Sequence, residues 1–192
     1  MTSINQTKVQ EEGKIEMRKQ QKGFSLIELL IVVAIILIIA AIAIPNLMRA
    51  KMAANTSSAA ASERSIVTGE IAYFAAFPTI GYTTLSVLGG AAGAICTPSS
   101  LTACLIDNNL ANNGTPAGTG KSGYTFAATP AAVGTTILNT FYTTGTALSL
   151  TTGTTAFCAV DDGVVRSAGS AGAANTAIGS YAACQALAPL TN

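Results

Sequence analysis

The 192-residue chain has no histidine and no tryptophan, and only 10% of its residues are charged. Without histidine there is no Ser-His-Asp triad and no imidazole base. The net charge of +1 offers no basic face for nucleic acid. The segment 118–122 contains Gly and Lys, but it has neither the spacing of a phosphate-binding loop nor a strand before it. We therefore expect no enzyme, no cofactor and no nucleic-acid binding.

The most prominent feature is an apolar run, Leu29–Ile44, that contains no polar side chain. With the five residues before it, the run would form a helix about 31 Å long at roughly 1.5 Å per residue. That length matches the hydrocarbon core of a bilayer, about 30 Å thick. A single segment satisfies its own backbone in lipid only as a helix. The run therefore predicts one membrane-spanning helix, with a kink at Pro45 because proline interrupts the hydrogen-bond ladder.

The charges around this run predict its orientation. Arg18, Lys19 and Lys22 lie just before it, and cytoplasmic flanks are enriched in Lys and Arg. The N-terminus is thus expected in the cytoplasm and the C-terminal part outside. Arg49 and Lys51, just after the run, oppose this assignment weakly.

Glu28 is a carboxylate at the edge of the apolar run. Such a group is a candidate functional residue, because an unpaired charge in lipid is costly. One interpretation places Glu28 at the headgroup level, where water solvates it. The other requires a cationic partner: if the chain is cut between Gly23 and Phe24, the new Phe24 amine could pair with Glu28 of its own helix or of a neighbour.

The stretch KGFSLIELLIVVAIILIIAAIAIP, residues 22–45, resembles the class III signal of type IV prepilins and pseudopilins. In that family a Gly precedes the cleaved bond, a Phe follows it, and a Glu lies four residues after the Phe. Gly23, Phe24 and Glu28 match these positions, and Pro45 matches a proline that is frequent in the family. The cleavage motif precedes the apolar run, whereas an ordinary secretory signal has its cleavage site after it.

The resemblance implies a structural role and a set of partners. A prepilin peptidase/methylase would cut after Gly23 and methylate the amine of Phe24. An inner-membrane assembly platform and its ATPases would then extract the subunit into a homo-oligomeric helical filament, an extracellular pilus of the adhesion or motility class. The alternative is a pseudopilin of a type II secretion system. A third class is a single-pass membrane protein that never polymerises.

The fold expected is α+β: a long N-terminal helix, first membrane or filament-core and then amphipathic, packed on a small antiparallel sheet. Residues 1–23 would be a cleaved leader, 24–51 the hydrophobic helix and 52–192 a globular head. Within the head we predict an amphipathic helix at 52–77, a loop at 78–122 with one short element at 99–105, and a sheet at 123–167. The strands are expected at 124–128, 138–144, 155–160 and 164–167.

The four cysteines suggest disulfides, because an even number in an exported chain favours pairing. Three pairings exist, and the simplest joins neighbours: Cys96 to Cys104 and Cys158 to Cys184, the second closing a C-terminal loop. A zinc site is disfavoured, since the chain has no His and no Cys-x-x-Cys.

Two acidic pairs in the head leave alternatives open. Glu63 and Glu70 lie near the apolar stripe of the amphipathic helix, and they either reach to water beside it or pair with cations of a neighbouring subunit. Asp161 and Asp162 precede Gly163 between two β-branched runs, which favours a hairpin turn over a calcium site.

The apolar stripe of the amphipathic helix consists of residues on one face: Ala59, Ala60, Ile66, Val67, Ile71, Phe74 and Phe77.

Overall fold

The structure, a computed structural model, describes residues 23–93, 95–114, 116–168 and 178–190. The predicted leader, residues 1–23, therefore lies outside the described residues except for Gly23. The chain divides into two compact units, Met1–Ile42 and Ala43–Asn192. Helix α1 (Leu26–Ala76) begins in the first unit and ends in the second. It includes Pro45 without an interruption.

The second unit is an α+β domain, as predicted. Its sheet has four antiparallel strands in the order β1-β2-β3-β4. The strands are β1 (Tyr124–Ala131), β2 (Thr140–Ala147), β3 (Ala156–Val160) and β4 (Val165–Ala168). Each strand neighbours the next in sequence, as in a meander, and only the β3–β4 connection, residues 161–164, is a tight turn.

The sheet is covered on both faces, which explains why all five residues of β3 are buried. Successive side chains of a strand point to opposite faces. Phe157 and Ala159 belong to the main core, which includes the buried face of α1. Cys158 and Val160 lie in a second cluster with Cys184. Ile178, Tyr181 and Leu187 pack against that cluster, and both Tyr181 and Cys184 belong to α4 (Tyr181–Gln185).

The long loop contains two short helices that sequence analysis did not predict. These are α2 (Leu85–Gly89) and α3 (Asn108–Ala111). The prediction of a short regular element at 99–105 is wrong, because this segment forms only an isolated β-bridge between Ser99 and Thr102. Each helix is five residues or fewer, too short for a periodic pattern to identify.

The disulfides follow the neighbour pairing, Cys96–Cys104 and Cys158–Cys184. The second closes a separation of 26 residues. In the chain-entropy model it stabilises the head by about 3–4 kcal/mol.

We expect the exported protein to contain no free thiol. Before reduction, a maleimide reagent should add no mass; after reduction under denaturing conditions it should label four cysteines, the number in the chain. Replacing both Cys158 and Cys184 by serine should lower the free energy of unfolding by about 3–4 kcal/mol. Labelling of the unreduced protein would contradict the pairing.

Candidate functional site

The candidate cleavage site is open to solvent. Gly23, Phe24 and Ser25 precede the helix in an exposed segment without regular secondary structure, and the Phe24 side chain is 84% exposed. A Cβ added at Gly23 would meet no atom within 4 Å. The fold itself therefore does not require glycine at position 23, and any such requirement must come from a partner that binds this segment.

Ser25 and Glu28 form a cap at the start of α1. The backbone N–H of Ser25 donates a hydrogen bond to Glu28 Oε2 at 3.0 Å. This is one half of a capping box, in which a Glu three residues after the N-cap satisfies the N-cap amide. The Ser-x-x-Glu spacing at residues 25–28 is the usual sequence signal of this cap, and it was not among the predictions above. In the uncut chain Glu28 thus has a partner within its own helix.

The N-terminal part of α1 exposes its apolar surface. From Phe24 to Met48, the large apolar side chains are between 44% and 84% exposed. An 18-residue window of this helix has a mean hydropathy of 3.3, and none of it is buried. By length and composition this segment can cross a membrane. Side chains of this kind must be covered by lipid or by other protein, because their exposure to water is unfavourable.

Glu63 and Glu70 fit neither of the two alternatives given by the sequence, which were exposure to water and pairing with a neighbouring subunit. Both are completely buried inside the head, so they neither reach to water nor face a neighbouring subunit. The predicted apolar stripe was also inaccurate: it included Ile71, which is 49% exposed, and it omitted Tyr73, which is buried. At 100° per residue both glutamates fall in the middle of the buried stripe, not at its edge. That angular position is a signal in the sequence for their burial, and the predictions above did not use it.

Glu63 joins α1 to the centre of the sheet. Thr143 Oγ1 donates to Glu63 Oε2 at 2.6 Å and accepts from the Ala159 N–H at 3.1 Å. A Cβ at Gly145 would lie 2.8 Å from Glu63 Oε1, so this glycine makes room for the carboxyl group. Burial raises the pKa of Glu63 from 4.5 to about 7, although the hydrogen bond from Thr143 opposes the shift.

Glu70 joins α1 to the segment that follows it. The Thr83 N–H donates to Glu70 Oε2 at 3.0 Å, while Oε1 has no partner among the described residues. Burial raises the pKa of Glu70 from 4.5 to about 7, against the lowering effect of that hydrogen bond. Burial also raises the pKa of Tyr82, with further contributions from Asp161 and Glu70.

The Asp161-Asp162-Gly163 segment is a turn between β3 and β4, as predicted. Gly163 has φ +77°, a conformation that glycine adopts without strain. Asp162 forms an ion pair with Arg166, and its Oδ1 accepts from the Val164 N–H at 2.9 Å. The Tyr181 hydroxyl donates to Asp161 Oδ1 at 2.5 Å. Both carboxylates are thus engaged with the protein, which suits a structural turn rather than calcium ligands.

Comparisons with known proteins bear on the N-terminal segment. Residues 18–44 match the model of the prokaryotic N-terminal methylation motif. A stretch of 37 residues is 62% identical to a protein of Thermus thermophilus named type IV wide pilus major component PilA4. The N-terminal stretch of this chain therefore carries the N-terminal methylation motif, the signal that type IV pilins and pseudopilins share.

The similarity is confined to a short part of both proteins. The match to the Thermus protein covers 19% of this chain and 28% of the relative, so the chain spans about a quarter of that relative's length. No solved structure matches the chain. The similarity therefore concerns the N-terminal signal and the apolar helix behind it, and it does not extend to the head.

We predict that Gly23→Val abolishes cleavage of the precursor. A Cβ at residue 23 has free space in the protein itself, so the substitution should not disturb folding. The block would arise in the peptidase, whose site for this residue is expected to be narrow. Immunoblotting of membranes should show only the uncut form. A band of mature size from Gly23→Val would contradict the assignment of the cleaved bond.

Proposed function

We propose that the chain is a structural subunit of a type IV pilus. It is exported as a precursor anchored in the inner membrane with its N-terminus in the cytoplasm, cut between Gly23 and Phe24, and methylated on the Phe24 amine. An assembly platform and its ATPases then transfer it into an extracellular filament, where copies pack through their N-terminal helices. The filament would serve adhesion or motility.

One observation carries the proposal: an exposed apolar helix begins directly behind an accessible Gly23–Phe24 bond and carries Glu28 at its start. A helix so apolar needs lipid before assembly and other copies of itself afterwards. The head supports the proposal, because two disulfides stabilise it for an external environment. The Thermus relative, named as a pilus component, favours the pilus over the pseudopilus.

Sheared surface filaments provide the test. Filaments should be removed from cells by shearing and their proteins identified by mass spectrometry, with an uncut Gly23→Val strain as the control. We expect this chain in abundance, starting at a methylated Phe24, from the wild-type strain alone. A pseudopilin would be cut and methylated as well, but it would be missing from the sheared fraction. A protein that remains uncut and in the membrane would contradict both functions.

A further inference from the structure

Two cations, Arg49 and Lys51, lie on α1 directly after its apolar part. The twenty residues between the charged Glu28 and Arg49, Leu29–Met48, span about 30 Å as a helix, which equals the hydrocarbon thickness of a bilayer. This segment fits the hydrocarbon better than residues 24–44, because that earlier segment would place the Glu28 carboxylate inside it. If the helix is anchored as proposed above, Arg49 is therefore the first residue beyond the hydrocarbon on the outer side. The positive-inside tendency disfavours cations near this outer end of the helix, so their presence calls for a physical reason.

Within the described part of the chain, the head gives these two cations no partner. Lys121 Nζ donates to Ser62 Oγ at 3.0 Å, and Arg166 pairs with Asp162. Arg49 and Lys51 are exposed and make no hydrogen bond or ion pair with any residue that the structure describes. Their side chains are thus available to a partner outside the described chain.

The distance from the apolar segment to the head fits a lipid headgroup layer. The first long-range hydrogen bond of α1 is made by Asn55, whose Nδ2 donates to Thr152 O at 2.9 Å. The six residues from Arg49 to Ala54 therefore precede it and span about 9 Å of helix. The polar layer on each side of a bilayer is roughly 5–8 Å thick. This short exposed segment is as long as the headgroup region, and its charge is opposite to that of phosphate.

We propose that Arg49 and Lys51 bind the phosphate groups of lipid headgroups at the outer surface of the membrane and thereby fix the depth of the anchored subunit. Their long side chains can extend to this level while the aliphatic stems remain beside apolar surface. The proposal rests on the membrane-anchored precursor described above. It explains why cations are found on the side of the membrane that the orientation rule disfavours.

Depth can be measured with a single fluorophore, because the chain has no tryptophan. Ala53 is exposed, so Ala53→Trp places an indole reporter in the boundary segment without disturbing the core. The full-length protein should be reconstituted into phosphatidylglycerol vesicles whose acyl chains carry bromine at known depths. Parallel samples should use a phosphate-free galactolipid. Resistance to carbonate extraction reports insertion independently of depth.

In phosphatidylglycerol, we expect the Arg49→Gln, Lys51→Gln double variant to move the indole reporter deeper by up to about one helical turn, roughly 5 Å. Arg64→Gln is the matched control, since Arg64 is an exposed cation farther along the same helix; it should leave the depth unchanged. In the galactolipid, the original and double-variant proteins should reach the same depth. Equal depths in phosphatidylglycerol, or a difference that persists in the galactolipid, would overturn the proposal. Failure to insert in any lipid would contradict the membrane anchor itself and with it this inference.

Discussion

Glu28→Ala is expected to be cut and inserted normally but to reach filaments at least about tenfold less than the original protein. Insertion should not suffer, because the substitution removes a carboxylate from the edge of an apolar segment. The capping hydrogen bond to the Ser25 amide is lost, but helix caps contribute only about 1 kcal/mol. The head belongs to the other compact unit, Ala43–Asn192, and should fold as before.

The expected loss arises in the filament. Cleavage creates a charged amine at Phe24, and assembly would surround it with apolar helices of other copies. Leaving such a charge buried without a partner costs about 3–5 kcal/mol, whereas a neighbour's Glu28 would neutralise it. The pair would also set the axial register, since only one stagger brings the amine to the carboxylate.

Two steps must be followed separately, cleavage by the size of the protein in membranes and assembly by its recovery after shearing. Glu28→Asp is the matched variant, because it keeps the charge and shortens the side chain by one methylene. It should assemble at an intermediate level. Full filament yield from Glu28→Ala would show that Glu28 is only a capping or headgroup-level carboxylate.

The second large effect concerns pH and the buried carboxyls of the head. Burial raises the pKa of both Glu63 and Glu70 from 4.5 to about 7. Between these values the folded head binds more protons than the unfolded chain, so its stability falls as pH rises. Each carboxyl contributes up to about 3 kcal/mol, at about 1.4 kcal/mol per pKa unit. This stability is fully present below pH 4.5 and is lost as pH rises through about 7.

Chemical unfolding of the full-length protein in detergent, from about pH 4.5 to about pH 8.5, tests this prediction. The head should be most stable at the acidic end. Asp162 does not obscure the trend, because the hydrogen bond from Arg166 lowers its pKa from 3.8, below this window. Glu63→Gln and Glu70→Gln should each flatten the pH dependence, and the double variant should nearly abolish it. Stability that is constant or rises toward the alkaline end would contradict the burial of neutral carboxyls.

The sequence predicted those parts of the fold that have strong periodicity or turn chemistry. The apolar run and its Gly23-Phe24 signal identify the first half of α1. Short runs of β-branched and aromatic residues bounded by Gly or Pro predicted four strands, and the Asp-Gly dipeptide at 162–163 predicted the turn between the last two. Strand ends shifted by up to three residues, because register in the sheet depends on pairing partners distant in sequence.

The buried glutamates show which contacts of the head could not be predicted: helical periodicity signals their burial, but nothing local signals their hydrogen-bond partners. Composition places carboxylates at the surface, since they are almost never fully buried without a partner. The partners of Glu63 and Glu70 are Thr143 and the Thr83 amide, 80 and 13 residues away. No local pattern reports such contacts. Gly145 lies opposite Glu63. From the sequence alone, a glycine in a strand indicates only a position that weakens the strand, whereas in the structure its missing side chain leaves space for the Glu63 carboxyl group.

This chain, cut before Phe24, is proposed to polymerise through its apolar helix with Glu28 as the partner of the new amine. A high-resolution image of the purified surface filament tests that claim most directly. We predict filaments built from this chain, with the methylated Phe24 nitrogen of one subunit within about 3 Å of a Glu28 carboxylate oxygen of another. A filament that contains this chain with Glu28 exposed to solvent, or with residues before Phe24 still attached, would contradict the claim.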